Sequence, residues 1–198
     1  MRSKGILKKL TVSVRVKVAK YVFDWQNTGH QKGVFQDGDK HNEEEHTTRL
    51  CPFDCGEEET LMHYMLCDEA PKQTQSAACL KSIANWMTTA RTYEPMRLTI
   101  IRKMKTWLKG TTFDEWDIRN ERYGELLHQA IEEQDNIGWC NFMKGRWSKK
   151  WGEIQEKEYD RIRIQDDIPI GHSGQWWAAK GISLTMYYSL NQWQIRND

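Results

Sequence analysis

Residues 51–67 of the chain read CPFDCGEEETLMHYMLC. This stretch contains three cysteines and one histidine with the spacing C-x3-C-x7-H-x3-C, namely Cys51, Cys55, His63 and Cys67. Three thiolates and one imidazole are a ligand set of closed tetrahedral zinc sites. We therefore predict one structural Zn²⁺ here, because four protein ligands leave no open position for a catalytic water.

The residues between the ligands predict how they converge. Gly56 permits a tight turn after the second cysteine. Residues 58–60, Glu-Glu-Thr, indicate the start of a helix, on which His63 and Cys67 would share one face. A plain alternative is a set of reduced core thiols with one satisfied histidine. Two upstream histidines are alternative ligands: His41 and His46.

Apolar residues recur at three- and four-residue steps along most of the chain, which predicts an all-α fold. We expect a compact multi-helix protein with a zinc knuckle near the end of its N-terminal third. Pro71 suggests a boundary between an N-terminal domain, 1–70, and a tryptophan-rich helical domain, 71–198. The predicted helices are 6–26, 73–90, 95–109, 119–134, 137–163 and 175–196, with a strand over 10–18 as an alternative to part of the first.

Composition limits the compartment and the partners. The net charge of +1 gives no global attraction to nucleic acid. Five cysteines are an odd number, and neither a signal peptide nor a membrane-length apolar run is visible. These features predict an intracellular protein of the nucleus or cytoplasm, with no membrane partner, in which cysteines bind metal rather than form disulfides.

Positive charge is nevertheless concentrated in three strips, which are candidate phosphate-binding surfaces. A solvated helix face is the plainer interpretation of any one strip. The predicted helix 137–163 carries Trp139, Met143, Trp147 and Trp151 at four-residue steps, and its cations would flank that buried stripe. The candidate residues are Lys144, Arg146, Lys149 and Lys150 in this strip, Arg97, Arg102, Lys103 and Lys105 in another, and Lys8, Lys9, Arg15 and Lys17 in the third.

No arrangement of residues in the sequence predicts an enzyme. Two-metal catalysis needs carboxylates on separated rigid elements, whereas Asp166 and Asp167 are adjacent in a glycine-bearing segment. Cys140 and His128 lack an orienting third group for nucleophilic catalysis. We therefore expect no catalytic residues.

The segment from Val18 to Ala70 resembles the zinc-binding region that follows the reverse transcriptase domain in many non-LTR retrotransposon proteins. The matching parts are Trp25-Gln-Asn-Thr-Gly-His30, Cys51-Pro-Phe-Asp-Cys-Gly56, Glu59-Thr-Leu-Met-His63 and Cys67. The family pattern is CPxCG, so this chain has one extra residue between the first two cysteines. The C-terminal half is similar to the extension of related diatom and algal elements, through Ile137–Arg146, Lys149–Trp151, Trp177–Lys180 and Trp193–Asn197.

This resemblance implies a zinc-stabilised accessory module of a retroelement protein. Its expected partners are RNA or DNA, bound through the backbone by basic helix faces, and a reverse transcriptase domain in cis or in trans. It does not imply polymerase activity, because no palm domain precedes the knuckle. The alternative is a zinc-stabilised helical scaffold or protein-interaction module that does not bind nucleic acid.

Overall fold

A computed structural model describes residues 50–111 and 117–197. Its helices are α1 (Leu61–Leu66), α2 (Ala70–Thr89), α3 (Glu94–Lys109), α4 (Gly124–Ile137), α5 (Trp139–Met143), α6 (Lys149–Gln165) and α7 (Gly174–Asn197). The described residues form no strand beyond a single bridge between Leu50 and Glu58. The all-α prediction is therefore confirmed, whereas the predicted helix 6–26 lies outside the described residues.

Local signals set the ends of α3 as expected. Pro95 stands in the first turn, where its missing N–H costs no helical hydrogen bond. Gly110 ends the helix in the left-handed conformation at φ 62°, and its N–H donates to the carbonyls of Thr106 and Trp107. Pro71 behaves in the same way in α2, since it lies within the first turn rather than before the helix.

The chain divides into two compact units. One unit is Ala78–Tyr188, and the other contains the described residues before Ala78 together with those from Ser189 onward. The boundaries of the two units therefore lie within α2 and within α7. The predicted division into 1–70 and 71–198 stays a prediction.

None of the helices within 50–111 and 117–197 combines the length and the apolarity that crossing a bilayer requires.

An aromatic cluster forms the centre of the unit Ala78–Tyr188. Trp177 is fully buried, and its ring centroid lies 5.7 Å from that of Trp86 and 5.8 Å from that of Trp147. The indole Nε1 of Trp177 donates a 2.8 Å hydrogen bond to Thr92 Oγ1. Large buried rings supply much of the apolar area of a small core, and a buried indole N–H needs such a partner.

Helix α6 holds the connection between α2 and α3 by side-chain hydrogen bonds. Gln155 Oε1 accepts from the backbone N–H of Tyr93 at 3.0 Å, and its Nε2 donates to the Arg91 carbonyl at 3.1 Å. The Tyr159 hydroxyl donates to the Ala90 carbonyl at 2.7 Å. These bonds satisfy buried backbone groups at the turn and so fix where α3 begins.

The single helix predicted over 137–163 is wrong, because the chain breaks between α5 and α6. Gly145 adopts φ 79°, which favours glycine, and a Cβ there would also crowd the Met186 side chain. Ser148 then caps α6, since its side chain accepts from the Lys150 N–H at 3.2 Å. The residues at four-residue steps, from Trp139 to Trp151, therefore do not form one helical stripe.

The side chain of Gln134, which lies in α4, forms hydrogen bonds with residues on both sides of this break. Its Oε1 accepts from the Ser148 N–H at 2.9 Å and from Trp151 Nε1 at 3.2 Å. Its Nε2 donates to the carbonyls of Arg146 at 3.3 Å and Gly138 at 3.4 Å. The fully buried amide of Gln134 thus supplies hydrogen bonds to polar groups that water does not reach.

We expect Gln134→Met to destabilise the protein by about 2–4 kcal/mol, because a thioether of similar size leaves several buried polar groups unpaired. Urea denaturation measures this loss. Gln129→Met is the matched control on the same helix: Gln129 is only half-buried, and we expect a loss below about 1 kcal/mol there. Equal losses at both positions would contradict the role of Gln134.

Candidate metal centre

The first two cysteines lie in a tight backbone knuckle before α1. The Cys51 N–H donates to the Glu57 carbonyl at 2.8 Å, which closes the loop. Asp54 and Gly56 both have positive φ, at 57° and 82°. Aspartate tolerates the left-handed region better than most residues. The extra residue of the C-x3-C spacing thus lies in a turn, and this turn still places Cys55 close to Cys51.

Helix α1 supplies the other two ligands, as predicted. Thr60 is its N-cap, and the Thr60 hydroxyl oxygen accepts from the His63 N–H at 3.0 Å. Cys67 follows the last turn, where its N–H donates to the His63 carbonyl at 2.6 Å. This bond holds the imidazole and the last thiol one helical turn apart.

The four side chains converge on one point. Their ligand atoms all lie within 4.8 Å of one another, with 3.8 Å between Cys51 Sγ and Cys67 Sγ. Cys55 Sγ lies 3.2 Å from His63 Nε2. A tetrahedral zinc site separates two sulfurs by about 3.8 Å and a sulfur and a nitrogen by about 3.6 Å. Cys51, Cys55, His63 and Cys67 can therefore bind one metal ion.

Burial keeps the thiols of Cys51 and Cys67 protonated when no cation is bound. Cys51 and Cys67 are buried, and burial raises the pKa of Cys51 to about 12 and also raises that of Cys67. The neutral thiol is favoured because a thiolate would lose its hydration there. A divalent cation placed among the sulfurs reverses that balance and holds them as thiolates.

The other potential ligands stand apart from this cluster. Cys79 and Cys140 are half-buried in α2 and α5, and neither belongs to the cluster. Burial raises the pKa of Cys79 to about 12, as expected for an inert thiol. The alternative ligands His41 and His46 lie outside the described residues. Asp54 is the functional residue that sequence reasoning missed: its place in the C-x3-C spacing was visible but its left-handed conformation was not.

The cationic strip predicted around the tryptophans does not form a continuous exposed surface. Lys144 is the C-cap residue of α5 and is only 7% exposed. Lys150 is half-buried, and its Nζ donates to Gln129 Oε1 at 3.1 Å. Only Arg146 and Lys149 of this strip are exposed. The expectation that Lys144 faces phosphate is therefore corrected.

The strip on α3 contains two half-buried cations, Arg97 and Lys103, and two exposed ones. Arg97 Nε donates to Glu94 Oε2 at 2.7 Å, and Lys103 Nζ donates to Asp135 Oδ2 at 2.8 Å. Arg102 and Lys105 are exposed, and Lys109, which sequence reasoning left out, is exposed one turn further on. Steps of three and four residues put these last three on one face. The four residues of the remaining strip lie outside the described part of the chain: Lys8, Lys9, Arg15 and Lys17.

Fold and site define the class of this protein as all-α with a Cys3His cluster that can hold one metal ion. No family model, no curated protein and no solved structure matches the chain. The chemistry of the cluster and of the helix surfaces is therefore the ground for a functional proposal.

Proposed function

We propose that the chain is a non-catalytic, zinc-stabilised helical module that binds the backbone of RNA or DNA. In this proposal it serves as an accessory to a retroelement reverse transcriptase, present in cis or in trans. The zinc holds the knuckle together, and the exposed cationic face of α3 contacts phosphates.

The donor set supports zinc over harder cations. Thiolates are soft ligands that suit zinc, Cu(I) and iron–sulfur clusters, whereas calcium and magnesium take oxygen ligands. Three thiolates with one imidazole, within 4.8 Å of one another, suit a single four-coordinate ion. With all four positions taken by protein, the ion has no place for a reacting water, which supports a structural role.

One observation carries the nucleic-acid part of the proposal, namely the exposed row formed by Arg102, Lys105 and Lys109. We call it the α3 row. Helix α3 contains five cations and one carboxylate, whereas the whole chain has a net charge of +1. The α3 row extends over about 10 Å along the helix axis, room for two or three phosphates of one strand.

The opposite side of α3 keeps that row in place. Thr99, Ile100 and Met104 are buried, and the helix is bounded by the hydrogen-bonded turn at Tyr93 and the left-handed Gly110. Cations on a rigid helix lose less freedom on binding than cations on a loop. Contacts of this type set affinity and register but carry no base recognition, which fits binding without sequence readout.

The retroelement association is supported by the resemblance of Cys51–Gly56, Glu59–His63 and Cys67 to the zinc-binding region of non-LTR elements. The departure from that pattern, one added residue, is compatible with the observed turn at Asp54. One observation favours the second candidate, a protein-interaction module: Ile164 on α6 is 81% exposed. A single exposed apolar side chain is a weaker indication than a row of cations.

The test neutralises the α3 row by the triple change Arg102→Gln, Lys105→Gln and Lys109→Gln. We expect affinity for a labelled oligonucleotide to fall roughly ten- to hundred-fold near 0.1 M salt, because three phosphate contacts are lost. The slope of log K against log salt should also decrease by about 2 to 3. Fluorescence anisotropy between about 50 and 200 mM salt measures both quantities.

The matched control removes the same charge from exposed cations elsewhere, through Lys81→Gln, Arg91→Gln and Lys157→Gln. We expect this control to retain most of the affinity and the salt slope. Equal losses in the two triple variants would indicate a net-charge effect and reject the α3 row. A wild-type protein that binds no nucleic acid at low salt would reject the proposed function altogether.

A further inference from the structure

Helix α7 carries large aromatic side chains on its solvent side. Trp176 is 39% exposed and Tyr187 is 50% exposed, and the cation Lys180 lies between them. Steps of four and seven residues place all three on one helical face. We call this set the α7 face. The adjacent aromatic residues, Trp177 and Tyr188, are buried. Neighbouring side chains leave a helix about 100° apart, so one ring of each pair can face the core while the other faces outward.

Packing within the unit Ala78–Tyr188 fixes which side of α7 faces outward. At Gly174 the backbone approaches the Gly152 carbonyl so closely that no Cβ would fit, and Glu156 Oε2 accepts from the Gly174 N–H at 2.6 Å. A Cβ at Gly181 would likewise run into the Trp147 ring. The helix cannot rotate to bury the α7 face without breaking these contacts.

The first aromatic ring of the face is held in a defined orientation. The His172 ring stacks on the Trp176 ring, with centroids 3.7 Å apart and an angle of 7° between the planes. His172 is itself exposed. The Trp176 indole therefore stays partly accessible while His172 holds one of its faces. An indole held in this way loses less conformational entropy when a further ring stacks on it.

The charge of the α7 face suits a polyanion. Lys180 is the only charged residue in the sequence from Gly174 to Asn191, so the helix places no carboxylate beside the rings there. Exposed aromatic rings that flank a cation are the elements of base-stacking surfaces for single strands. A duplex fits this surface less well than a single strand, because a duplex keeps its bases stacked within itself.

We infer that the α7 face binds single-stranded nucleic acid, with bases stacking on Trp176 and Tyr187 and a phosphate near Lys180. This inference rests on the proposed function and specifies the form of its partner. Eleven residues of helix separate the two rings by about 16 Å, which is the length of about five stacked nucleotides or fewer extended ones. Stacking accepts any base, so the face adds affinity without sequence readout.

The test compares a fluorescein-labelled oligothymidylate of about 15 nucleotides with a blunt duplex of similar length, a size within the usual range for one single-strand site. For the double variant Trp176→Leu and Tyr187→Leu we expect a loss of about 10- to 100-fold in affinity for the single strand. Affinity for the duplex should change less than about two-fold, because its bases are not available to stack.

Two controls isolate the aromatic contribution. Ile164→Ala removes exposed apolar surface elsewhere in the same unit and should leave both affinities unchanged. Tyr187→Phe keeps the ring and should retain the single-strand affinity, whereas Tyr187→Leu should lose it. This single-site comparison decides the question if the double variant fails to fold.

The outcomes separate this inference from the proposed function. Unchanged single-strand affinity in the leucine variants, or equal losses for single strand and duplex, would overturn the inference. If neutralising the α3 row still weakens binding in that case, the proposed function stands. If the wild-type protein binds neither oligonucleotide, both are rejected.

Discussion

Removal of the metal ion is expected to unfold the segment Cys51–Cys67 while the unit Ala78–Tyr188 stays folded. The segment depends on the ion because α1 has six residues, and helices of that length are unstable alone in water. Binding free energies of about 10–16 kcal/mol are typical of structural zinc sites, and in such sites this energy is folding energy. The helical unit does not depend on the ion in the same way, since its aromatic core contains none of the four ligands.

Hydrogen exchange with and without a chelator measures this difference segment by segment. Amides of α1 should lose their protection when the ion is removed, whereas amides of α4 and α6 should keep theirs. Elemental analysis of the purified protein should give one zinc per chain. Loss of protection throughout Ala78–Tyr188, or full protection of α1 after chelation, would contradict the expectation.

Cys79, which lies outside the cluster, offers a matched control for the ligand assignment. Cys55→Ser should weaken zinc binding by at least about a thousand-fold, because a hydroxyl is a poor ligand for the ion. Cys79→Ser changes the same functional group outside the cluster and should leave the zinc content at one per chain. Zinc retained by the Cys55 variant, with the wild-type affinity, would reject the predicted ligand set.

Trp177→Ala is expected to lower the free energy of unfolding by about 3–5 kcal/mol. The change would leave a large cavity beside Trp86 and Trp147 and remove the donor that bonds Thr92 Oγ1. Losses of this size are a large part of the stability of an ordinary domain. Urea denaturation of the zinc-loaded protein, followed by far-ultraviolet circular dichroism, measures the change.

The neighbouring tryptophan is the control. Trp176 has the same side chain one residue earlier but is 39% exposed, so Trp176→Ala should cost less than about 1.5 kcal/mol. Similar losses at the two positions would contradict the assignment of inner and outer sides to α7. A variant of Trp177 that is as stable as wild type would show that the aromatic cluster is not the centre of the core.

The metal cluster was predictable because it is local. Thr60 and the step from His63 to Cys67 specify a short capped helix, and four ligands within one stretch need no knowledge of distant packing. The conformation of Asp54 was not predictable in the same way, since a C-x3-C spacing allows several turns. The resemblance to retroelement proteins and the nucleic-acid role remain predictions.

The break between α5 and α6 shows where the periodicity of apolar residues led to a wrong prediction. Large apolar residues at four-residue steps suggested one helix, yet Gly145 is a helix stop signal and Ser148 is an N-cap. The burial of Lys144 follows from that break. Gln134 was not identifiable beforehand, because its partners lie in the later segment 138–151 and meet it only in the folded chain.

The short span of the metal ligands also bears on the order of events during synthesis. Because all four lie within residues 51–67, closing the site joins only a short loop, and the entropy cost of closure is small. The knuckle can therefore capture its ion as soon as Cys67 leaves the ribosome, before α6 and α7 exist. The core of the unit Ala78–Tyr188 joins α2 to α7, so it cannot form until α7 has been made. We expect a nascent chain that presents a metal-bound knuckle first and acquires its aromatic core last.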